Sequence, residues 1–445
     1  MSYADNFSKM QKGFDMGQAI AEADRCLLCH DAPCSIGCPA ETDPASFIRK
    51  LRFRNISGAV RTIKSNNILG GACGVLCPTA ELCEKECSAT GIGQPIAIGK
   101  IQRFLVEHAH ATGFEVVEKK GQRSEKVAVV GSGPGGLSCA AELAKEGFPV
   151  TVFEAREEPG GVLRYGVVSY RFDTDFLAAE MADIQKLGVE FKCGSPINAQ
   201  NGVEALLKSG YQAVFLAPGL WDAVHLEEKT DIAGLYDSVA FLEGLRNGHM
   251  DALAGKIENK TVAVIGGGSV AMDCVGASIR LGAKDVYLVY RRSYTQMPAE
   301  EEEKIEALGE GIHFLMLNQP VDSVVNDDGD VQGLKLVRTA LGDTDASGRR
   351  SPVNIEGSEW VLPADLVIEA IGNKADDQSP TWYPQVKLDR KKLILVDPDT
   401  GLTSMEGVFA GGDIVRGPAL VVNAVQDGKV AARAINAYLT QKSEE

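Results

Sequence analysis

The first quarter of the chain carries apolar residues at close to helical spacing. Within residues 45–66, apolar residues at Phe47, Ile48, Leu51, Ile56, Val60 and Ile63 lie near helical spacing. Up to about His110 there is none of the strict alternation that is typical of a half-buried strand. The pattern predicts a helical N-terminal domain.

From residue 126 the pattern changes to apolar runs of strand length. The run KVAVV is followed by the turn GSGPGG, the amphipathic segment LSCAAELAKEGF and the second run PVTVFEA. Such a βαβ unit belongs to a parallel sheet that is buried on both faces. A second unit of the same kind occupies residues 261–291. Two copies predict two nucleotide-binding domains, and residues 328–343, 364–373 and 407–439 supply further strands and a closing helix.

Composition and charge narrow the class of protein. The 445 residues contain 61 Asp and Glu against 45 Lys and Arg, so the net charge is −16. We therefore expect no nucleic-acid partner, because such partners require basic surfaces. No apolar run approaches the roughly 20 residues that a membrane span needs, and the N-terminus lacks a signal-peptide pattern. We expect a cytoplasmic protein without a membrane span.

The first glycine turn has the pattern of a dinucleotide site. Gly131, Gly133 and Gly136 form G-x-G-x-x-G directly after a strand, and Glu154 ends the next strand. The glycines allow a tight turn that points backbone N–H groups at a pyrophosphate, and the acid can accept a hydrogen bond from a ribose hydroxyl. The alternative is a glycine-rich helix entry without a ligand.

The second glycine turn differs at the end of its second strand. Gly266, Gly268 and Ala271 form G-x-G-x-x-A, but Arg291 and Arg292 stand where an acid would be expected. An arginine there can bind a 2′-phosphate, which favours NADPH over NADH. The alternative is a solvated arginine pair.

A third turn, FAGGD, lies near the C-terminus. Its glycine pair allows close backbone approach to a ligand, and Asp413 could accept hydrogen bonds from the ribityl or diphosphate region of a flavin. This turn follows two dinucleotide units, which is where a flavoprotein with two such domains completes its FAD domain.

Eight of the 11 cysteines fall in the first 87 residues, at Cys26, Cys29, Cys34, Cys38, Cys73, Cys77, Cys83 and Cys87. In a reducing compartment such a cluster indicates metal binding rather than disulfides. Zinc and iron–sulfur clusters both accept four thiolates, and spacing separates them poorly. A Cys-Pro pair ends a close run twice, as in ferredoxins, which favours iron–sulfur. Zinc and unliganded thiols remain alternatives, whereas the solitary Cys139, Cys193 and Cys274 are interpreted as core residues.

Several segments together resemble a known family. They are DRCLLCHDAPCSIGCP, CGVLCPTAELCEKEC, KVAVVGSGPGGLSCAAELA, EEPGGVLRYG, GGGSVAMD and FAGGDIV. The family is that of the small FAD and iron–sulfur subunits of NADPH glutamate synthase and of bacterial NAD(P)-dependent dihydropyrimidine dehydrogenase. The resemblance extends from about Gln18 to Leu439.

The resemblance implies two [4Fe-4S] clusters. It assigns one cluster to Cys26, Cys29, Cys34 and Cys87, and the other to Cys38, Cys77, Cys83 and Gln102. Cys73 would then bind nothing, although a thiolate is a softer and stronger ligand for iron than an amide.

The resemblance also implies cofactor contacts. For FAD these are Gly131, Gly133, Gly136, Glu154, Val162, Arg171, Gly412 and Asp413. For the nicotinamide cofactor they are Gly266, Gly268, Ser269, Val270, Arg291, Arg292, Ala370, Ile371 and Gly372. No side chain is expected to act as a catalytic acid or base, because hydride transfer requires positioning rather than proton transfer.

The expected fold is an N-terminal α-helical iron–sulfur domain followed by two interleaved α/β Rossmann-like nucleotide-binding domains. The expected ranges are 1–115 for the helical double [4Fe-4S] domain, 125–255 and 374–445 for the FAD domain, and 256–373 for the NAD(P) domain.

The expected function is electron transfer between NAD(P)H and a separate catalytic subunit through FAD and the clusters, in a hetero-oligomer. That subunit would carry the terminal substrate site of a dihydropyrimidine dehydrogenase, a glutamate synthase or another oxidoreductase such as an aldehyde or oxoacid oxidoreductase. The alternatives are a zinc-bearing thiol-disulfide reductase and a non-enzymatic iron–sulfur scaffold.

Overall fold

The computed structural model describes residues 6–7, 10–114, 118–226, 232–345 and 348–444. The chain divides into two compact units that alternate along the sequence. The first unit comprises Gln11–Arg164, Arg171–Leu220 and Ala375–Glu445, and the second comprises Met1–Met10, Tyr165–Tyr170 and Trp221–Lys374. The expected boundary at residue 115 lies outside the described residues.

Residues 11–114 form the helical part of the first unit, in which the described residues contain no strand. The helices are α1 (Met16–Asp24), α2 (Pro33–Ile36), α3 (Pro44–Arg52), α4 (Ile56–Asn66), α5 (Gly70–Leu76) and α6 (Ile98–Thr112). Short 3-10 turns occupy Thr79–Glu81 and Ser88–Gly91. The apolar positions predicted for residues 45–66 pack in one buried core. The chain breaks this segment into two helices, because Arg54 takes a left-handed φ of 62° and the Asn55 side chain caps α4.

The remainder of the first unit is the first-sheet part, which contains a five-stranded parallel sheet. The strands are β1 (Lys126–Val130), β2 (Val150–Phe153), β3 (Glu190–Lys192), β4 (Tyr211–Leu216) and β16 (Val408–Ala410). Their order in the sheet is β16-β4-β1-β2-β3. The helices are α7 (Pro134–Lys145), α8 (Val162–Tyr165), α9 (Thr174–Lys186), α10 (Val203–Lys208), α15 (Asp413–Arg416) and α16 (Val421–Glu444), with a 3-10 turn at Ser379–Thr381. The C-terminal segment thus returns to the first sheet, as the sequence predicts.

The second unit contains a five-stranded parallel sheet. Its strands are β6 (Leu235–Asp237), β7 (Thr261–Ile265), β8 (Asp285–Tyr290), β9 (His313–Met316) and β14 (Leu366–Glu369). Their order in the sheet is β6-β14-β7-β8-β9. Its helices are α11 (Ser238–Arg246), α12 (Met250–Ile257), α13 (Ser269–Arg280) and α14 (Glu301–Gly309), with a 3-10 turn at Tyr294–Gln296.

Antiparallel strands complete the second unit. They are β10 (Asn318–Val325), β11 (Val331–Thr344), β12 (Arg350–Asn354) and β13 (Trp360–Pro363), together with the pair β5 (Asp222–Ala223) and β15 (Asn373–Lys374).

The structure differs from the sequence expectations in two places. Residues 235–255, which were expected in the FAD domain, lie with the second sheet, because β6 forms hydrogen bonds to β14. Cys139 and Cys274 are fully buried, as expected, but Cys193 is only half-buried because it follows the edge strand β3.

Candidate functional site

The first glycine turn lies between β1 and α7 and requires glycine at two positions for steric reasons. Gly131 has a φ of 95°, and a Cβ there would lie 2.3 Å from the carbonyl oxygen of Ala217. A Cβ on Gly136 would lie 1.9 Å from the carbonyl oxygen of Gly131. At Gly133, by contrast, a Cβ would meet nothing within 4 Å. The turn therefore has an open side at Gly133, where a pyrophosphate could approach the N-terminus of α7.

Glu154 holds this turn from the end of β2. Its buried carboxylate accepts hydrogen bonds from the Ser132 backbone N–H at 3.0 Å and from the Arg156 N–H at 2.9 Å. The Ser132 hydroxyl donates to Glu154 at 2.5 Å and accepts from the Gly160 N–H at 3.0 Å. Glu154 is thus positioned by the same loops that would enclose a dinucleotide, which its expected role requires.

The C-terminal turn brings a second acid to this sheet. Gly412 has a φ of 77° and donates its N–H to Asp427 at 2.8 Å, and Asp413 begins α15. Burial raises the pKa of Asp413 to about 6, although a hydrogen bond from the Ala419 N–H opposes the rise. A carboxylate with an elevated pKa gains from donors such as flavin hydroxyls, so the residue fits its expected partner.

The other two expected flavin contacts belong to neighbouring segments of the first unit. Val162 begins α8 and is exposed, and the half-buried Arg171 lies shortly before α9.

The second glycine turn has the same steric requirement. A Cβ on Gly266 would lie 2.4 Å from the carbonyl oxygen of Ala370, so the 370–372 turn lies directly against it. Gly267 packs on the Tyr290 ring, and Gly268 is the N-cap of α13, which begins with Ser269 and the exposed Val270. The structure therefore brings the glycine turn against the Ala370, Ile371 and Gly372 segment, which the resemblance assigns to the same cofactor.

The two arginines at the end of β8 have different environments. Arg292 is buried, forms an ion pair with Asp345 at 2.6 Å and donates to the Arg350 carbonyl at 2.8 Å. Arg291 is exposed. Only Arg291 has its guanidinium at the surface, where a 2′-phosphate could reach it.

The first group of cysteines surrounds one pocket, which Cys26, Cys29, Cys34 and Cys87 all line. Burial raises the pKa of Cys34 to about 11, and the nearby thiolates of Cys87, Cys26 and Cys29 add to the rise. The backbone N–H of Ile96 donates to the Cys87 sulfur at 3.5 Å. Three thiols from residues 26–34 and the Cys87 thiol line the same pocket, and this donor set fits an iron–sulfur cluster.

The second group comprises Cys38, Cys73, Cys77 and Cys83. The Cys77 thiol shares a hydrogen bond with Cys73 and is close enough to Cys38 and Cys83 for their charges to raise its pKa. Cys73 is therefore a member of this group, although the resemblance leaves it without a role.

Gln102 is buried nearby, and its side-chain amide donates to the Gly70 carbonyl at 2.5 Å. No three His, Cys, Asp or Glu side chains of the described residues are arranged to hold a single metal ion.

Sequence reasoning missed two buried charges that contact the cysteine segments. Glu180 accepts from backbone N–H groups of α5, and Lys429 donates to the Ala40 carbonyl. No motif marks either residue, because their partners are 109 and 389 residues away in sequence.

Comparisons with known proteins agree with this architecture. Residues 3–114 match the family model "Dihydropyrimidine dehydrogenase domain II, 4Fe-4S cluster". Residues 125–428 match the model "Pyridine nucleotide-disulphide oxidoreductase". The fold and the two glycine turns thus define an iron–sulfur flavoprotein oxidoreductase that uses a pyridine nucleotide.

Relatives match over nearly the whole chain. The chain is 34% identical to the glutamate synthase [NADPH] small chain of Escherichia coli, covering 97% of this chain and 94% of that protein. It is 37% identical to the NAD-dependent dihydropyrimidine dehydrogenase subunit PreT of the same species, covering 95% and 94%. The NADP(+)-dependent formate dehydrogenase subunit beta of Moorella thermoacetica is 36% identical, but the chain spans only 60% of its length. The chain belongs to the family of glutamate synthase small chains and PreT subunits.

Solved structures share the fold. FprA of Mycobacterium tuberculosis in complex with NADPH matches with a TM-score of 0.60 at 20% identity, covering 72% of this chain and 86% of that one. Thioredoxin reductase of T. acidophilum matches with a TM-score of 0.52 at 20% identity, covering 72% of this chain and 100% of that one. Among the described residues, no helix combines the length and apolarity that crossing a membrane would take.

Proposed function

We propose that the chain takes electrons from NADPH onto FAD and passes them singly through two [4Fe-4S] clusters to a partner enzyme. The observation that carries this proposal is the arrangement of eight cysteines in two groups of four. Both groups lie in the same compact unit as the flavin turn. When bound, FAD accepts hydride as two electrons and one proton, and it can release those electrons one at a time to clusters.

The residues of the chain bind and orient in this scheme. Gly131, Gly133 and Gly136 would admit the flavin diphosphate to the N-terminus of α7, while Glu154 and Asp413 would accept hydrogen bonds from flavin hydroxyls. The remaining flavin contacts would be Val162, Arg171 and Gly412. The nicotinamide cofactor would bind at Gly266, Gly268, Ser269 and Val270 and at the 370–372 turn. Replacement of Glu154 or Asp413 by Ala should lower the FAD content of the purified protein.

We assign one cluster to Cys26, Cys29, Cys34 and Cys87, and the other to Cys38, Cys73, Cys77 and Cys83. Cys73 is preferred to Gln102 because its thiol hydrogen bonds with the Cys77 thiol of the second group. A thiolate is also the softer ligand for iron. Cys73→Ala should halve the iron content, and Gln102→Ala should leave it unchanged. Loss of half the iron in Gln102→Ala but not in Cys73→Ala would identify Gln102 as the ligand instead.

NADPH is the preferred donor in this proposal because Arg291 is exposed at the end of β8, where a 2′-phosphate would lie. Arg292 supports the strand end through Asp345 and would not contact the phosphate.

The terminal substrate would bind to a partner subunit. This inference is supported by the relatives, whose names describe a small chain or a subunit of glutamate synthase, dihydropyrimidine dehydrogenase and formate dehydrogenase. We therefore infer a hetero-oligomer in which this chain supplies or receives electrons. An anaerobic pull-down with the full chain should recover an oxidoreductase that has its own substrate site.

Cofactor analysis tests the proposal directly. Anaerobically purified protein should contain about eight irons, eight sulfides and one flavin per chain, and NADPH should bleach the flavin absorbance quickly. Zinc in place of iron would indicate the thiol-disulfide reductase alternative. Iron without nucleotide-driven bleaching would indicate a scaffold, and either result would overturn the proposal.

A further inference from the structure

Glu180 and Lys429 are two buried charges of opposite sign that reach the second group of cysteines from the first-sheet part. Glu180 lies on α9 and has a fully buried side chain. Its two carboxylate oxygens accept from the backbone N–H groups of Gly71 at 2.7 Å and Ala72 at 3.0 Å. These residues lie in the first turn of α5, and the residue after Ala72 is Cys73.

The surroundings of Gly71 allow this close approach. A Cβ at that position would lie 2.8 Å from the carboxylate oxygen of Glu180 and 2.5 Å from the Phe176 ring. Glu180 therefore fixes the backbone that presents Cys73.

Lys429 contacts the other side of the same group. It lies on α16, its side chain is 8% exposed, and its ammonium donates to the Ala40 carbonyl at 2.5 Å. Ala40 is two residues after Cys38. The neighbouring Gly428 packs against the Gly135 carbonyl of α7, where a Cβ would lie 2.3 Å from the oxygen. Lys429 thus links the helix that packs on the flavin turn to the Cys38 segment.

Each of the two buried side chains has a side chain of opposite charge nearby. Lys64 lies 3.8 Å from Glu180, but it is closer to Asp183, at 2.9 Å, and His110 also faces Asp183, at 3.4 Å. Lys429 lies 3.4 Å from Glu41, whose side chain is 54% exposed and also pairs with Arg433. Buried ions cost several kcal/mol, and apolar residues of similar size often serve stability as well or better. Stability alone therefore does not explain why these positions are charged.

A redox centre gives such charges a function. In a low-dielectric interior, a nearby negative charge disfavours the addition of an electron and a positive charge favours it. Reduction potentials of iron–sulfur clusters respond to local charge, hydrogen bonding and burial.

We propose that Glu180 and Lys429 are positioning residues that set, with opposite signs, the reduction potential of the cluster held by Cys38, Cys73, Cys77 and Cys83. Glu180 lowers the potential and Lys429 raises it. This inference rests on the proposed function, because it requires a cluster at these cysteines.

Redox titrations followed by electron paramagnetic resonance test the inference on the anaerobic full-length protein. Glu180→Gln should raise the midpoint potential of the second cluster, and Lys429→Met should lower it. We expect each variant to change the reduction equilibrium at least tenfold, which is 59 mV for a one-electron couple. The signal belongs to the second cluster if it survives Cys26→Ser, which removes a ligand of the first cluster.

Two matched controls lie on the same helices. Asp183→Asn removes a charge from α9, and Arg433→Gln removes an exposed charge from α16. Asp183 pairs with Lys64, and Arg433 pairs with the exposed Glu41 side chain, whereas Glu180 and Lys429 hydrogen bond to the backbone beside Cys73 and Cys38. Both should shift the potential less than the test variants do, because distance and solvent screen their charges.

The possible outcomes separate the two proposals. Opposite shifts in the two test variants support the inference, whereas no shift, or shifts of the same sign, overturn it. If one variant loses the resonance signal of the second cluster, the direction of the shift in the other variant decides whether the inference stands. Loss of that signal in both variants would show that the residues only hold the fold and would overturn the electrostatic role. Wild-type protein with about four irons would contradict the second cluster itself.

Discussion

Gly133 and Gly136 lie in the same turn but should respond differently to the same substitution. Gly136→Ala forces a Cβ to within 1.9 Å of a backbone oxygen, so we expect the variant to be destabilised by more than about 3 kcal/mol. Gly133 has an ordinary φ of −69° and open space around its Cβ position, so Gly133→Ala should fold normally. Its methyl group would instead occupy the approach to the pyrophosphate, and we expect FAD content to fall at least tenfold. Thermal unfolding and flavin absorbance measure the two effects, and full flavin occupancy in Gly133→Ala would refute the placement.

Arg291 and Arg292 offer a comparable pair at the end of β8. Arg291→Ala should reduce kcat/KM for NADPH about tenfold, which is about 1.4 kcal/mol, and leave NADH unaffected. Arg292→Ala should cost about 2 kcal/mol of stability, because it removes the buried guanidinium that pairs with Asp345 and donates to the Arg350 carbonyl. Steady-state assays with an artificial electron acceptor and urea unfolding distinguish the effects. Equal losses with both nucleotides would contradict the phosphate contact.

Asp413 should make the stability of the flavin-free protein depend on pH. Its folded pKa of about 6 lies above the ordinary value of 3.8, so the folded state binds the proton more tightly than the unfolded state. Its contribution to the free energy of unfolding is therefore fully present below about pH 3.8, and it is lost as the pH rises through about 6. Relative to Asp413→Asn, the wild type should lose about 1 kcal/mol of stability between pH 5 and pH 7. Urea unfolding at both pH values measures this difference, and a constant difference would show that the carboxyl titrates normally.

At the scale of elements, two helical glycines have opposite expected responses to alanine. Gly428 in α16 packs against α7, where a Cβ would lie 2.3 Å from the Gly135 oxygen, so Gly428→Ala should destabilise by about 3 kcal/mol. Gly255 in α12 has nothing within 4 Å of its Cβ position, so Gly255→Ala should stabilise by about 1 kcal/mol through helix propensity. Calorimetry of both variants tests the packing of α16. Stabilisation of both variants would mean that α16 does not pack closely on α7.

The elements that sequence predicts best are those with a local signal. The βαβ units around Gly131 and Gly266 follow from periodicity and glycine spacing, and the structure contains both. The break between α3 and α4 was not predicted, because apolar residues at near-helical spacing stand on both sides of Arg54, which adopts a left-handed φ.

The candidate site shows the same limit more clearly. The placement of Cys73 beside Cys77 fits a spacing of one helical turn, yet its partner Cys38 comes from a distant segment. Glu180 and Lys429 could not be predicted, since tertiary packing alone brings each to its backbone partner. A buried charge outside a motif has no sequence signature when its partner is more than 100 residues away.

At the scale of the whole molecule, the chain combines the cysteine segments and the first sheet in one compact unit. Cluster binding releases its free energy only in the folded state, so it should stabilise every element that unfolds together with the cysteines. The first-sheet part is tied to these segments by Glu180 and Lys429, and it also carries the flavin turn. Flavin affinity and cluster occupancy should therefore be linked, although no cysteine of the two groups is assigned to FAD.

Cluster-free protein should consequently release flavin at a lower temperature than cluster-loaded protein. Since a bound ligand at 100 times its Kd contributes about 2.7 kcal/mol, loss of two tightly held clusters should lower the release temperature by at least 5 °C. The fluorescence of released flavin on heating measures this, with anaerobically reconstituted protein as the control that should regain the original value. Gly266 and Arg291 lie in the second unit, so NADP⁺ added to both preparations should protect that unit equally. Equal release temperatures with and without clusters would mean that the helical part unfolds independently of the first sheet, and that Glu180 and Lys429 do not couple them.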